Sequence, residues 1–288
     1  MMTLREAVKE AENKGVAIGH FNISDTEGLN AIFDAAKSLN VPVIIGTSEG
    51  ERDFIGVNQA VALVKSLREE HNFPIYLNAD HTYSVEKVKE AIDAGYDAVI
   101  FDGTKLPFEE NIEKTEEVVE YAKKSGRDVL VEGEIGYIGT SSKVLDEIPD
   151  GAEITEESLT KPDELKEYID KTGVDLVAPA VGNLHGVLKK GKNPNISIER
   201  IKELREVGGV PVVLHGGSGI SDGEFSEAIK AGVSIIHLNT EIRLAYREGI
   251  EEVLEEKPDE IAPYRFLKGG VEEMRELVEK RLKLFNNL

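Results

Sequence analysis

Residues 74–103 read PIYLNADHTYSVEKVKEAIDAGYDAVIFDG, and this stretch decides the fold. Residues 74–81 form a short apolar run that predicts a strand. Ser84 stands where a helix cap is expected, and residues 84–94 set charged side chains against Val, Ile and Ala at helical spacing. Residues 98–103 then predict a second strand. A strand, an amphipathic helix and another strand within thirty residues make a parallel crossover unit.

The unit recurs along the chain. Strands are predicted at 16–22, 42–48, 74–81, 98–103, 129–136, 176–182, 211–216 and 234–240, with amphipathic helices at 84–94, 109–125, 197–207 and 222–231. Ser24, Ser84, Ser197 and Ser221 sit at cap positions. The apolar runs are continuous rather than alternating, as in strands covered on both faces. Eight such units in 288 residues predict a closed parallel (β/α)8 barrel of the TIM type, a fold that needs about 250 residues. An open doubly wound sheet would usually carry a Gly-rich turn after the first strand, and none follows Asn22. With no repeat or low-complexity linker, residues 1–288 read as one domain. Two segments break the alternation. Residues 137–161 form a long polar connection of the kind that serves as a lid, and the tail from about 256 to 288 either closes the barrel or meets another subunit.

Composition narrows the function. Lys plus Arg number 34 and Asp plus Glu 55, a formal charge of −21, which argues against nucleic-acid and anionic-membrane partners. No apolar run approaches the ~20 residues that span a bilayer, and the charged N-terminus is unlike a signal peptide, so a cytoplasmic protein is expected. There is no Cys, so a metal would rest on carboxylates and the six His.

Active sites of such barrels lie where the strands end. The polar residues at those ends are Asn22, Ser48, Asp80, His81, Asp102, Glu134, His185, His215, Asn239 and Thr240. A single His there has an ordinary structural explanation. His81, His185 and His215 together follow the third, sixth and seventh strands, so their rings can meet, and three imidazoles with one open position describe a catalytic zinc site. Glu134 and Asp102 lie beside it as ligands or supporting groups. Asp80, next to His81 on the chain, suits a general acid or base. The Gly-rich turn His215-Gly216-Gly217-Ser218-Gly219 precedes a helix and, with Asn239-Thr240-Glu241, can cradle a phosphate.

These residues resemble the class II, metal-dependent fructose-bisphosphate and tagatose-bisphosphate aldolase family. The matching segments are Asn78-Ala79-Asp80-His81, Ile100-Phe101-Asp102-Gly103, Val131-Glu132-Gly133-Glu134-Ile135-Gly136, Ala178-Pro179-Ala180-Val181-Gly182-Asn183-Leu184-His185-Gly186 and Val213-Leu214-His215-Gly216-Gly217-Ser218-Gly219, in family order. The resemblance implies Zn2+ on His81, His185 and His215, with Glu134 and Asp102 lining an alternative or second divalent position. It implies that Asp80 exchanges a proton with the aldehyde oxygen. It places Asn22, Ser48, Gly186, Gly216, Gly217, Ser218, Gly219, His237, Asn239 and Thr240 around a phosphorylated sugar, with a monovalent cation, Na+ or K+, near the phosphate. A homodimer or homotetramer acting in glycolysis or gluconeogenesis is the corresponding expectation.

Three departures qualify the match. The family's Gly-Gly-x-Glu-Asp segment reads Gly139-Thr140-Ser141-Ser142-Lys143, which leaves Asp146, Glu147, Asp150 or Glu153 as substitute loop acids. A family Asn that contacts a substrate hydroxyl is replaced by His237. A C-terminal basic phosphate contact corresponds to Arg265 or Lys268. The expected reaction is reversible cleavage of fructose 1,6-bisphosphate to dihydroxyacetone phosphate and glyceraldehyde 3-phosphate through a metal-stabilised enediolate. The alternatives are another ketose phosphate, such as tagatose 1,6-bisphosphate or a deoxy sugar acid phosphate, and a zinc-binding barrel without turnover.

Overall fold

The structure is a computed structural model that describes residues 2–139, 142–148, 154–190 and 193–288. Its strands are β1 (Ile18–Asn22), β2 (Val43–Thr47), β3 (Ile75–Thr82), β4 (Ala98–Phe101), β5 (Leu130–Ile135), β6 (Val144–Leu145), β7 (Leu176–Pro179), β8 (Val187–Leu188), β9 (Val212–Leu214) and β10 (Val233–Leu238). Its helices are α1 (Leu4–Lys14), α2 (Thr26–Leu39), α3 (Glu49–Ile55), α4 (Val57–His71), α5 (Val85–Ala94), α6 (Phe108–Lys124), α7 (Pro162–Thr172), α8 (Ile198–Gly208), α9 (Asp222–Ala231), α10 (Thr240–Glu256) and α11 (Pro263–Phe285). The eight strands expected from the sequence close into one parallel barrel in the order β1-β10-β9-β7-β5-β4-β3-β2. β6 and β8 form a separate two-stranded clip that ties the 137–161 connection to the loop after β7.

Local chemistry explains the boundaries. Ser84, Ser197 and Ser221 cap α5, α8 and α9 as expected. At α2 the cap is Asp25 rather than Ser24. Its Oδ1 accepts from the Gly28 amide at 2.7 Å, and a charged acceptor at a helix N-terminus outcompetes a neighbouring hydroxyl.

Two apolar cores result. The larger lies between barrel and helices. The smaller is the barrel floor, where Leu4, Val8 and Ala11 of α1 meet the inward residues Ile18, Ile44, Tyr76, Leu130, Val213 and Ile235. In the tail, α11 buries Met274, Val278, Leu282 and Phe285, and packs against α2 and α10. Its buried Arg281 pairs with Glu241 at 2.8 Å and Asp222 at 2.6 Å.

Alternation along the strands sets what lies above the floor. Side chains at i and i+2 share a face, so inward Ile18 is followed by His20 and Asn22, Tyr76 by Asn78 and Asp80, Leu130 by Glu132 and Glu134, Val213 by His215, and Ile235 by His237. The barrel is therefore apolar at its N-terminal end and a buried polar network at its C-terminal end. In barrels of this type Val, Ile and Leu dominate the interior layers.

Candidate active site

Alternation alone would send Asp80 into the barrel and His81 out toward the helices. Both reach the mouth because the β3–β4 pairing shifts between Ala79 and Thr82 and His81 adopts φ 38°. A left-handed non-Gly residue costs about 1–3 kcal/mol and persists only where its surroundings hold it. Here His81 Nδ1 faces Asp102 Oδ2 at 3.2 Å and Glu134 Oε2 at 3.4 Å. The buried Arg52 guanidinium grips the bulge from behind, donating to the carbonyls of Thr47 and Asp80 and, at 2.8 Å, to the Thr82 hydroxyl.

The rings of His81, His185 and His215 then meet, with centroids 4.7, 5.0 and 5.9 Å apart. One ligating atom from each, together with a Glu134 oxygen, all lie within 4.8 Å of one another. Among the described residues, Glu134 Oε2, His185 Nε2 and His215 Nδ1 are buried without a hydrogen-bond partner. Leaving such groups bare is costly, and a divalent cation accepting three nitrogens and a carboxylate oxygen would satisfy them together. Glu132 Oε1 sits 2.7 Å from His215 Nε2, so that nitrogen donates outward and Nδ1 turns its lone pair to the cluster. Asp102 stands one step back. It accepts from the Thr104 amide and hydroxyl at 3.2 and 2.7 Å and faces His81.

Electrostatics agree with a cation there. Burial opposes charge on His81, yet Asp80, Glu134 and Asp102 together push it well above the usual imidazole range. Burial also raises Asp102, but hydrogen bonding and attraction from His81 carry it down to about 2. The acidic cluster thus needs a positive charge at its centre, which a proton on His81 supplies and a metal ion could replace.

Asp80 occupies the opposite wall, almost fully buried. Its Oδ2 accepts from Asn22 Nδ2 at 2.8 Å, and the same amide donates to Glu51 at 2.8 Å. Its Oδ1 has no hydrogen-bond partner and lies 3.8 Å from His81 Nε2 and 3.5 Å from His237 Nδ1. Burial raises Asp80, but His81, His237 and His20 outweigh it and hold the group well below the usual carboxylate range. It stands as an ionised base.

His237 lies in a stack of imidazoles, 3.5 Å from His20 with 1° between the planes and 4.1 Å from His215 at 21°. His20 Nε2 meets Asn78 Nδ2 at 3.1 Å. Gly46 leaves the space for this ring, since a Cβ there would lie 2.2 Å from His20 Cε1. His20, Asp80 and His237 also bring ligating atoms together, but the lone pairs of two parallel rings cannot converge on one ion. That group is a packed stack, not a second metal centre.

The pocket above is walled by Asn22, Asp80, His81, His185, Gly186, Gly216, Gly217, Ser218, His237, Asn239 and Thr240, all expected from the sequence, and by Ser142, which was not. Glu134 lies deeper, in the imidazole cluster. Ser48 and Gly219 stand off the wall. Ser48 donates to Glu51 from both its amide and its hydroxyl, and Gly219 packs on Asn193. The helix N-terminus facing the pocket is that of α10, at Thr240. α9, which follows the Gly-rich turn, is closed by its own Ser221–Glu224 capping box. Of the loop acids, Asp146 and Glu147 are exposed and off the wall, while Asp150 and Glu153 lie outside the described residues. Arg265 and Lys268 are exposed on α11, away from the pocket.

Several supporting residues escaped the sequence reading. His20, Asn78 and Glu132 were readable, each lying two positions before a strand-end polar residue and so on the same inward face. Asn183 donates to the His215 carbonyl at 3.0 Å, and Asn193 donates to the carbonyls of Gly186 and Ser218 at 2.9 and 3.0 Å. Asn183 lies within a family-matching segment but carried no assigned role, and nothing local distinguishes Asn193 from an ordinary turn asparagine.

Fold and site together define a barrel enzyme of the kind that works at its strand ends. The family model described as fructose-bisphosphate aldolase class-II matches residues 2–288, and the chain belongs to that family of carbon–carbon lyases. It is 36% identical over 288 residues to a fructose-bisphosphate aldolase of Staphylococcus epidermidis, covering 99% of this chain and 97% of the relative. It is 35% identical to a probable fructose-bisphosphate aldolase of Bacillus subtilis, covering 100% and 98%. Among solved structures, the YdjI aldolase of Escherichia coli K12 superposes with a TM-score of 0.81 at 28% identity, covering 99% of this chain and 97% of that one. A fructose-bisphosphate aldolase of Campylobacter jejuni, at 22% identity and a TM-score of 0.80 over 98% and 94%, shares the fold.

Proposed function

We propose that the chain is a zinc-dependent aldolase that reversibly cleaves fructose 1,6-bisphosphate to dihydroxyacetone phosphate and glyceraldehyde 3-phosphate. The observation that carries this reading is the convergence of His81, His185, His215 and Glu134 on one point beside the ionised Asp80. Zinc held by the three imidazoles, with Glu134 and Asp102 available to a second or displaced ion, would polarise the ketose carbonyl. Asp80 takes the proton of the C4 hydroxyl as the C3–C4 bond breaks. The electron pair of that bond leaves with the three-carbon fragment, and the C4 oxygen becomes the aldehyde carbonyl. In the reverse direction Asp80 returns the proton.

The turn from Gly216 to Ser218 and the start of α10 at Asn239 and Thr240 would receive a phosphate through backbone N–H groups, with Na+ or K+ beside it. Gly186 and Asn22 would border the sugar, Asn22 chiefly by orienting Asp80. The same reading takes residues 1–288 as one cytoplasmic domain whose tail joins copies into a homodimer or homotetramer. Among the described residues no helix is long and apolar enough to cross a membrane.

The test is cleavage of fructose 1,6-bisphosphate by purified protein before and after a chelator, with zinc added back. Loss on chelation and recovery with zinc are expected; chelator-resistant cleavage would defeat the proposal. The presence of His237 in the pocket favours measuring tagatose 1,6-bisphosphate alongside, because a misplaced hydroxyl leaves a buried polar group unpaired and lowers kcat/KM steeply.

A further inference from the structure

His237 carries an observation that the metal cluster does not absorb. The ring is buried and on the pocket wall, and neither of its nitrogens has a hydrogen-bond partner among the described residues. Asp80 Oδ1, equally bare, is 3.5 Å from His237 Nδ1. That gap is long for a good direct hydrogen bond, yet one oxygen atom can sit within about 2.8 Å of both. An N–H and a carboxylate oxygen so placed are a donor and an acceptor for a single hydroxyl.

The ring is also held in its plane. His20 covers one face at 3.5 Å and His215 the other at 4.1 Å, while Asn78 holds His20 and Gly46 leaves room for it. A side chain fixed on both faces but bare at its edge is positioned for something that arrives through the pocket.

We infer that His237 is a second contact to the hydroxyl oxygen from which Asp80 removes a proton, donating from Nδ1 to that oxygen while Asp80 Oδ1 accepts from it. The inference rests on the aldolase reading above. As the C4 hydroxyl loses its proton to Asp80 and the C3–C4 electron pair departs, the donor at His237 steadies the charge on the C4 oxygen. This oxygen belongs to the aldehyde half. Proton exchange at the carbon of dihydroxyacetone phosphate that becomes C3 involves no such atom, so His237 assists one half of the chemistry and not the other.

The two halves can be measured separately on the zinc-loaded enzyme. His237→Phe keeps a flat ring between His20 and His215 and removes both nitrogens. Cleavage of fructose 1,6-bisphosphate is followed by kcat, exchange of the carbon-bound proton of dihydroxyacetone phosphate with D2O by NMR, and zinc content by elemental analysis. The expected result is a cleavage kcat lower by on the order of 10²-fold, as for loss of one transition-state donor, with exchange within about threefold of wild type and zinc retained. Unchanged cleavage would overturn the inference, as would cleavage and exchange falling together or zinc being lost, since these place His237 in support of the cluster instead. A wild-type enzyme that cleaves no fructose 1,6-bisphosphate refutes the aldolase reading itself, independently of the variant.

Discussion

Gly46→Ala tests whether the polar barrel interior is built around His20. Gly46 lies in β2 with ordinary extended φ, so Ala brings no backbone strain, only a methyl group. That methyl would lie 2.2 Å from His20 Cε1, 2.7 Å from its Nε2 and 2.9 Å from Asn22 Oδ1. Carbon–carbon contact is comfortable near 3.5–4.0 Å, so the imidazole must shift by roughly 1 Å or more. It has little room, with His237 stacked at 3.5 Å and Asn78 at 3.1 Å. The cost belongs at the upper end of the usual range for overpacking, about 2–3 kcal/mol. His20→Ala alone should cost about 2–4 kcal/mol through the cavity it leaves. Together they should cost little more than His20→Ala alone, because the new methyl then occupies vacated space, giving a coupling of about 2 kcal/mol in favour of the double variant. Urea midpoints of the four proteins, prepared free of metal, close the cycle. Additivity within about 0.5 kcal/mol, or a stable Gly46→Ala protein, would refute the idea that this glycine exists for that ring.

Three further outcomes follow from the same contacts. Asp80→Asn should keep zinc and fold while lowering cleavage kcat by roughly 10²–10⁴, since the amide cannot accept the proton; loss of zinc along with activity would contradict that assignment. Glu132→Gln should weaken zinc binding about 10–100-fold in a competition with a chromophoric chelator, because His215 loses the carboxylate that aims its Nδ1; unchanged affinity would remove Glu132 from the site. Burial drives His20 down to about 4, against the pull of Asp80 and with help from His215 and His81. The folded protein therefore keeps this ring neutral, whereas the unfolded chain protonates it below about 6.5. Its contribution is intact above that pH and falls away as the pH drops from 6.5 to 4, by up to about 3 kcal/mol. Metal-free His20→Gln should accordingly lose less stability than wild type over that interval, and parallel losses in urea titrations would show that folding does not lower the His20 pKa.

The barrel was legible because its evidence is local and repeated. Each apolar run followed by a capped amphipathic stretch is a complete crossover unit, and right-handed crossovers leave few ways to arrange eight of them. The one misplaced cap, Ser24 for Asp25, came from two adjacent residues that both cap well, where only the chain path chooses.

The mouth was legible for a similar reason. Strand ends converge, so naming the polar residue at each end named most of the pocket wall. What lay below the mouth was harder, because an active-site carboxylate and the residue that aims it can be two positions apart on one strand. Glu132 and Glu134 share an inward face, yet Glu134 turns to the imidazole cluster and Glu132 to the far side of His215, with a His237 nitrogen within 4.8 Å. Alternation alone cannot rank them.

His81 shows the opposite case, for alternation points it away from the site. A bulge and a positive φ return it, held by Arg52, Asp102 and Glu134, which come from α3, the end of β4 and β5. A backbone conformation that costs about 1–3 kcal/mol is stable there because three distant elements pull against it together. That is tertiary information, absent from any window of sequence around Asp80 and His81. The ring that completes the cluster is therefore also the one whose placement is most sensitive to residues that touch no ligand. Arg52→Met, which lets the bulge relax, should lower zinc occupancy although residue 52 lies outside the cluster. Full occupancy in that variant, measured by elemental analysis after dialysis, would show that Asp102 and Glu134 hold His81 without Arg52.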